Sequence, residues 1–447
     1  MKKIIYGIVV ALFCSGCDNF LEEYSQSQTV AKKVSHFDEV LLGDGYLPAQ
    51  NRAYISTDHA GFLNIMDDDV TTVGGSGLAV FFWPDCSVNL FGYYAWQLEV
   101  GRNPTGDVLR DDSQTWLDFY RRINVMNVIL KEIDDISVSS PSEELDRIRV
   151  KGECHFIRAS LYFTLVNLYG KAYNKATSAT DYGVPLKLTE YVEHDKDKKT
   201  QFERTPVAKI YEQIVEDLKT AVNYLTESPQ KRPLHRASKE AAQLLLSRVY
   251  LYMQDWDNAI KYAEEVIKEN PAIFNLYEAG TKLNMENNSG TSWNATNIWG
   301  KDYLSKDNDN VIFVNGINEL MPAMSYWLFI TTFSVNKDLA RQFETGDVRR
   351  FYFMQTYSRD TYAGYRTKLS YAKNRYIGLT YTMQDSRESG YTRGIRIGEM
   401  YLILAEAYAH KTDGMKKAVD YLNTLRVEKF REGEYTPLKV EDFNQNT

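Results

Sequence analysis

The chain has 447 residues, a formal net charge of −8 and 44% hydrophobic residues. This length and apolar content predict a packed globular protein of one large domain or a few ordinary ones. The acidic balance argues against non-specific binding to nucleic acid or to an anionic membrane. Tyrosine is the outlier, with 32 residues, and its flat ring with a polar tip suits both helix packing and the binding of sugars or peptides.

The N-terminus has the features of a bacterial export signal. Lysines precede an apolar stretch at 4–13, which is too short to cross a bilayer whose core is about 30 Å thick. The sequence CSGC at 14–17 resembles a lipobox, in which the signal is cleaved before the last cysteine and that cysteine is acylated. We therefore predict a signal peptide at 1–16 and a lipid on Cys17. The alternatives are an ordinary signal peptide with an incidental cysteine and a buried N-terminal helix.

The part that follows the signal divides into a tether and one domain. Residues 17–31 are polar and rich in Gln and Ser, which is typical of a flexible tether. The domain is predicted to occupy 32–447 and to begin with a short helix at 36–42. From 48 to 112 the periodicity breaks, and glycines, aromatics and acidic residues alternate irregularly, which indicates a loop-rich segment.

Helical patterns dominate from residue 113 to residue 270. Apolar residues recur at helical spacing over 113–136, and a second helix is expected to end at about 169, with Ser142 as its N-cap. A third helix is expected to run to about 225, with Thr205 as its N-cap and Pro206 at its first position.

The clearest repeat is a helix–turn–helix unit at 237–270, in which Ser238 is the expected N-cap. Its residues match the spacing of a tetratricopeptide repeat, in which small side chains let two helices approach and larger ones fill the groove between them. The matching positions are Leu246, Ser247, Tyr250, Ala259 and Pro271. A related unit lies at 396–429, and a second irregular segment lies between them at 271–393.

Repeats of this kind cannot bury their apolar faces alone and must stack on one another. The predicted fold class is therefore all-α dominated, a tetratricopeptide-like helical repeat scaffold with long irregular insertions and little β-structure. The repeats occupy about 113–270 and 394–430. The insertions at about 48–112 and 271–393 are too aromatic to be disordered, and long irregular segments in compact domains are usually functional.

No catalytic motif stands out. The chain lacks a phosphate-binding loop and a G-x-S-x-G nucleophile turn, and its histidines lack the spacing of metal ligands. His155, which lies within a predicted helix, is interpreted as structural. The acidic run Asp67, Asp68 and Asp69 offers hard oxygen ligands for Ca²⁺, but a solvated loop is the favoured interpretation. No cofactor is therefore predicted.

The candidate ligand-binding residues are aromatic and lie in the two irregular segments. A pyranose ring has an apolar C–H face, which Trp or Tyr can cover, and a hydroxyl rim, which polar side chains can bind. The alternative is that these aromatics form the core of segments that lack regular structure. The candidates are Trp83, Tyr93, Tyr94, Trp96, Trp293, Trp299, Tyr326 and Trp327.

Several motifs in a fixed order support a family resemblance over nearly the whole chain. They are CSGCDNFLEE at the start, a helix with Trp116, Tyr120 and Asn127, KGECHFIRASLYFTLVNLYG at 151–170, TPVAKIYEQIVEDLKTAVNYL at 205–225, the helix pair at 236–267, NDNVIFV at 308–314, GDVRR at 346–350 and the final unit at 396–426. Together they resemble the SusD/RagB family of outer-membrane nutrient-binding lipoproteins of Bacteroidetes.

This resemblance implies a function without catalysis. Family members capture an oligosaccharide, or in some members a peptide, and lie over a SusC-like TonB-dependent channel in the outer membrane. The chain is thus expected to be lipid-anchored and exposed at the cell surface. Members usually continue with a further Arg/Glu-rich helix after the last unit, which is missing here by the same comparison. A protein-binding repeat scaffold and a surface hydrolase remain the alternatives.

Overall fold

The computed structural model describes residues 31–47, 63, 66, 68, 70–72, 92–97, 113–190, 203–230, 234–275, 310–314, 333–335, 337–347, 349, 354–357, 370–373 and 394–443. Over these ranges it is mainly helical, which confirms the predicted fold class. The buried apolar side chains of the helices form one hydrophobic cluster. None of the helices in these ranges is long and apolar enough to cross a membrane.

The described part of the chain begins with a short helix that belongs to the core. Helix α1 spans Val34–Val40 and continues as a π-helical turn at Leu41–Gly45. Val34, Phe37 and Leu41 are each no more than 2% exposed. The predicted helix at 36–42 is therefore present, and it attaches the start of the domain firmly to the helical body.

Three long helices follow and form the centre of the body. Helix α2 spans Ser113–Glu132 and ends in a 3-10 turn at Ile133–Asp135, α3 spans Pro141–Tyr169, and α4 spans Val207–Glu227. Helices α3 and α4 approach so closely at Gly152 that an added Cβ would lie 2.9 Å from the Leu225 Cγ atom. A larger residue at this position would push the helices apart.

Two of the predicted helix caps are wrong. Helix α3 begins two residues earlier than expected, because the Ser140 side chain, and not that of Ser142, accepts from the Glu143 N–H at 3.2 Å. The Thr205 hydroxyl does not cap α4; it accepts from the Leu186 N–H at 3.2 Å. At α3 a serine two residues earlier takes the capping position, and at α4 another segment binds the threonine hydroxyl, which local spacing does not reveal.

The repeat at 237–270 has the predicted architecture. Helix α5 spans Lys239–Tyr252 with Ser238 as its N-cap, and α6 spans Trp256–Glu269. Ser247 and Ala259 are fully buried, and the Ser247 hydroxyl donates to the Ala259 carbonyl at 2.8 Å. The small residues thus bring the two helices into direct contact, as expected.

The second unit consists of α8 at Gly398–Ala409 and α9 at Met415–Val427, and it stacks on the first. The Tyr408 hydroxyl donates to Glu264 at 2.7 Å, and the Tyr401 hydroxyl donates to the Pro271 carbonyl at 3.1 Å. An ion pair between Arg248 and Glu399 joins α5 to α8. Neighbouring repeats therefore cover each other's faces.

The chain turns back on itself after α9. Phe430 is 4% exposed, and the Tyr435 hydroxyl and the Leu438 N–H donate to the Asn423 Oδ1 atom at 2.7 and 2.9 Å. A 3-10 turn at Val440–Phe443 follows. This returning segment covers part of α9, while Leu402 in α8 remains 51% exposed.

The described parts of the irregular segments contain short strands and one short helix. The strands are β1 Val70–Thr72, β2 Val311–Val314, β3 Phe333–Val335, β4 Met354–Tyr357, β5 Ser370–Lys373 and β6 Gly394–Arg396, and helix α7 spans Lys337–Gln342. They pair antiparallel as β1–β3, β2–β6 and β4–β5. Phe313 of β2 packs edge-on against Phe156 of α3, with ring centroids 5.2 Å apart, so β2 and β6 rest on the helical core.

Candidate functional site

The described ligand-binding candidates lie in one tight turn at 92–97. The Trp96 N–H donates to the Tyr93 carbonyl at 3.1 Å, and the Gln97 N–H donates to the Gly92 carbonyl at 2.9 Å. Tyr93 is 4% exposed and belongs to the hydrophobic core, and Tyr94 packs partly against it. The two tyrosines therefore attach the turn to the body.

Trp96 has the opposite environment. Its side chain is 66% exposed, the largest exposed fraction among the tryptophans of the described ranges. Its backbone has a φ of 51°, a left-handed conformation that bulky residues rarely adopt. Such strain persists where the surrounding structure imposes it, and it is concentrated at functional sites. The turn thus holds an indole ring out into solvent on a rigid base.

Tyr93 and Trp96 differ in which interpretation of the aromatic candidates they favour, ligand binding or core packing. The burial of Tyr93 favours the alternative that it is a core residue, whereas the exposure of Trp96 suits a stacking surface. The other predicted residues lie outside the described residues. They are the binding candidates Trp83, Trp293, Trp299, Tyr326 and Trp327, the lipidation site Cys17 and two of the possible calcium ligands, Asp67 and Asp69.

The signature residues of α2 and α3 hold an extended segment at 184–189 against the helices. The Tyr120 hydroxyl donates to the Pro185 carbonyl at 2.7 Å. The Tyr162 hydroxyl lies 2.7 Å from both the N–H and the carbonyl of Lys187. Asn127 Nδ2 donates to the carbonyls of Lys187 and Thr189 at 3.2 and 3.1 Å. These side chains supply hydrogen-bond partners to the backbone of this segment.

A buried ion pair lies behind that segment. Arg158 Nε and Nη2 lie 2.9 and 2.6 Å from the carboxylate oxygens of Asp217, and His155 Nδ1 lies 2.7 Å from Oδ1. Burial alone would raise the pKa of Asp217, but the hydrogen bonds from His155 and Arg158 hold that pKa below its usual value. His155 is therefore structural, as interpreted from the sequence.

A second buried network attaches the start of the domain. The Glu153 carboxylate accepts from Arg236 Nε at 2.8 Å and from Arg149 Nη1 at 3.0 Å, and the Tyr46 hydroxyl also donates to it. The Ala237 N–H donates to that same hydroxyl at 2.9 Å. Burial raises the pKa of Glu153, while the arginines oppose this. The network joins the π-helical turn region to α3 and to the start of α5.

A buried lysine lies where the returning C-terminal segment meets the second irregular segment. Lys429 is 6% exposed, and its Nζ atom donates to the Phe274 carbonyl. Burial is the main cause that lowers its pKa to about 8, and Arg349 and Arg396 add to this effect. The sequence carries no signal for the burial of Lys429, because an isolated lysine after a helix usually remains in solvent.

The described residues offer no obvious site for metal chemistry. No group of three His, Cys, Asp or Glu side chains there could hold a metal ion. Cys154 is fully buried, and burial raises its pKa well above the usual value, which keeps the thiol protonated and unreactive. Among the ligand-binding candidates that the structure describes, Trp96 is the one whose side chain is exposed to solvent.

The chain is similar in sequence to known proteins. Residues 93–251 match a SusD-like family model described as "Starch-binding associating with outer membrane". A SusD-like protein of Formosa agariphila is 30% identical over 308 residues, which make up 66% of this chain and 51% of that protein. The chain therefore resembles SusD-like proteins, in a family model over 93–251 and in a relative over 66% of its own length. It spans about half the length of that relative and 40% of a SusD-like protein from Bacteroides ovatus.

Solved structures confirm the SusD-like fold. A SusD-like carbohydrate binding protein from Bacteroides vulgatus superposes with a TM-score of 0.64 at 19% identity, over 92% of this chain and 78% of that one. Surface glycan-binding protein A from Bacteroides uniformis superposes with a TM-score of 0.58 at 15% identity, over 91% and 83% of the two chains. At these identities the similarity concerns the fold alone.

Proposed function

We propose that this SusD-like chain is a non-catalytic binding protein that captures an oligosaccharide at the cell surface. The single observation that carries the proposal is Trp96, which lies within the family match, is 66% exposed and is held on a turn whose tyrosines are anchored in the core. An exposed rigid indole suits the apolar face of a pyranose ring. Because the chain spans about half the length of the Formosa agariphila relative, the ligand class is part of the proposal.

The binding test uses the soluble chain that begins after Cys17. Wild type, Trp96→Ala and Trp96→Phe are titrated with amylopectin, xylan, laminarin, pectin and mannan, and with a peptide pool. If Trp96 stacks on the ligand, the Ala variant should bind about 5- to 150-fold more weakly, corresponding to about 1–3 kcal/mol by analogy with base stacking. The Phe variant should keep part of the affinity, because it keeps a ring.

Tyr182→Ala is the matched control, because Tyr182 is equally exposed, at 68%, and lies on another element. Saturable binding to peptides alone would indicate a peptide-binding member. Release of shortened sugars would indicate a hydrolase and contradict the non-catalytic function. Binding to no ligand in the panel would contradict the proposal as stated.

We further propose that Cys17 is acylated, that the chain is anchored to the outer membrane and that it passes its ligand to a SusC-like TonB-dependent channel. The lipobox-like sequence at 14–17 and the outer-membrane description of the family support this. In cells labelled with radioactive palmitate, the wild type should carry label and sediment with outer membranes, whereas Cys17→Ala should do neither. Cys14→Ala is the control and should behave as wild type. Co-purification of the anchored protein with a TonB-dependent channel tests the partner.

A further inference from the structure

Four aromatic rings from separate elements meet beside the C-terminal end of α3. Phe163 of α3 contacts Tyr252, the last residue of α5, edge-on at 5.0 Å, and it contacts Tyr211 of α4 at 6.1 Å. Tyr173, in the loop after α3, lies 4.9 Å from Tyr211. We call these four residues the tyrosine cluster. Its inner members, Phe163 and Tyr211, are buried, and they support its outer members from below.

The outer members reach the surface. Tyr252 is 48% exposed, and Tyr173 is partly exposed. Single exposed aromatics are common on protein surfaces. Tyr252 differs because the buried Phe163 ring packs against it, whereas the more exposed Tyr182 has no ring neighbour within the described ranges. The cluster is therefore a firm aromatic surface and not one loose side chain.

Polar groups border this surface. The Tyr211 hydroxyl donates to the Asn167 Oδ1 atom at 3.2 Å, and Asn167 lies exposed one turn beyond Phe163 on α3. Burial, together with the nearby hydroxyls of Tyr252 and Tyr173, raises the pKa of Tyr211 above its usual value. The Tyr211 hydroxyl thus keeps its proton at neutral pH and can both donate and accept hydrogen bonds.

The loop that carries Tyr173 is held in place. Lys175 Nζ donates to the Gln254 carbonyl at 2.7 Å, two residues after Tyr252. Within the loop, Lys171 pairs with Asp181, and the Thr177 hydroxyl donates to that same carboxylate. The contact between Lys175 and Gln254 therefore ties the segments that carry Tyr173 and Tyr252 together, and such ordering before a ligand binds lowers the entropic cost of binding.

We propose that the tyrosine cluster is a second carbohydrate-contact site, in which Tyr252 and Tyr173 cover the apolar face of a sugar ring and Asn167 binds its hydroxyls. This inference rests on the proposed function but uses elements other than the turn at 92–97. A second contact on one chain raises the apparent affinity for a long polysaccharide, because the second binding event becomes intramolecular. It adds little for a short oligosaccharide that occupies only one site.

The test compares Tyr252→Ala, Tyr252→Phe, Asn167→Ala and the control Tyr182→Ala with wild type. Each is titrated with whichever of amylopectin, xylan, laminarin, pectin or mannan the wild type binds, and with a short oligosaccharide of the same sugar. Tyr252→Ala should bind the polysaccharide at least about tenfold more weakly. Its affinity for the oligosaccharide should stay within about twofold of wild type, because an oligosaccharide that occupies only the first site does not touch Tyr252. A lost stacking contact would weaken binding by much more than twofold. Tyr252→Phe should largely restore binding, and Asn167→Ala should fall between them.

Thermal unfolding confirms that each variant is folded. If the wild type binds a polysaccharide but Tyr252→Ala matches wild type and Tyr182→Ala, the second site is wrong while the proposed function stands. An equal loss with Tyr182→Ala would also overturn it, because the effect would not be specific to the cluster. If the wild type binds no polysaccharide, the proposed function itself fails.

Discussion

Arg158 and Asp217 form a buried, two-point ion pair that joins α3 to α4, with nitrogen–oxygen distances of 2.9 and 2.6 Å. The side chains are 8% and 1% exposed. Arg158 also donates to the Asn127 Oδ1 atom at 2.9 Å, which orients the amide that binds the segment at 184–189. The Asp217 carboxylate thus fixes Arg158, and Arg158 in turn orients Asn127. These contacts link α4, α3 and α2.

Removal of this carboxylate should be severely destabilising. Asp217→Ala leaves Arg158 buried without its partner, which is expected to cost about 3–5 kcal/mol of unfolding free energy in urea titrations. Asp257→Ala is the matched control, since its pair with Lys411 is exposed and is worth about 0–1 kcal/mol. The double variant Arg158→Met/Asp217→Leu should lose less than Asp217→Ala. If the double variant and Asp217→Ala lose the same unfolding free energy, the buried-charge explanation is contradicted.

The same carboxylate should make stability depend on pH in acid. The pKa of Asp217 in the folded protein lies below the usual 3.8, so its contribution is present above that value and is lost as the pH falls through the folded pKa. The difference in unfolding free energy between wild type and Asp217→Asn should therefore shrink on acidification below about pH 4. A difference that stays constant between neutral and acidic pH would exclude this ionisation as its source.

Lys429 should make the unfolding free energy depend on pH in the basic range. Its folded pKa of about 8 lies below the usual 10.5, so the folded protein carries a penalty below pH 8 that disappears as the pH rises to 10.5. The gap corresponds to about 3 kcal/mol. Relative to Lys429→Met, the wild type should become more stable by about that amount between neutral and strongly basic pH. Lys416→Met, at an exposed position, should show no such trend.

Tyr46 should be more than a packing residue. Its hydroxyl donates to Glu153 and accepts from the buried Ala237 N–H, so Tyr46→Phe leaves both groups short of a partner. The expected loss is about 1–3 kcal/mol in urea unfolding. Tyr182→Phe, at a 68% exposed position, should be neutral. A neutral Tyr46→Phe would mean that water or another group replaces the hydroxyl.

The contact between α5 and α6 should tolerate a lost hydroxyl better than an added side chain. Ser247→Ala removes one hydrogen bond to the Ala259 carbonyl, with an expected cost of about 1 kcal/mol. Ala259→Leu places a large side chain in a fully buried position, which overpacking should penalise by about 1–3 kcal/mol or more. If both variants lower the unfolding free energy equally little, α5 and α6 are less tightly packed than this geometry indicates.

Much of the helical body could be predicted from the sequence. Apolar periodicity and the Ser238 cap are local signals, and the small residues Ser247 and Ala259 already indicated a close helix pair. The cap at Ser142 was wrong because the nearby Ser140 caps α3 instead, and the cap at Thr205 was wrong because the segment at 184–189 binds its hydroxyl. The sequence placed the candidate site in the aromatic-rich segments. It could not tell which of Tyr93, Tyr94 and Trp96 are buried and which are exposed.

The sequence by itself determined the helical repeats and the family resemblance, because helical periodicity and motif order are properties of neighbouring residues. Only the tertiary structure decided that Tyr93 is buried while Trp96 is exposed, since burial depends on which distant elements cover a side chain. It also decided the partners of Arg158 and Asp217, which lie 59 residues apart in the chain. The same physical reason applies to the tyrosine cluster, whose rings become neighbours only when separate helices pack together.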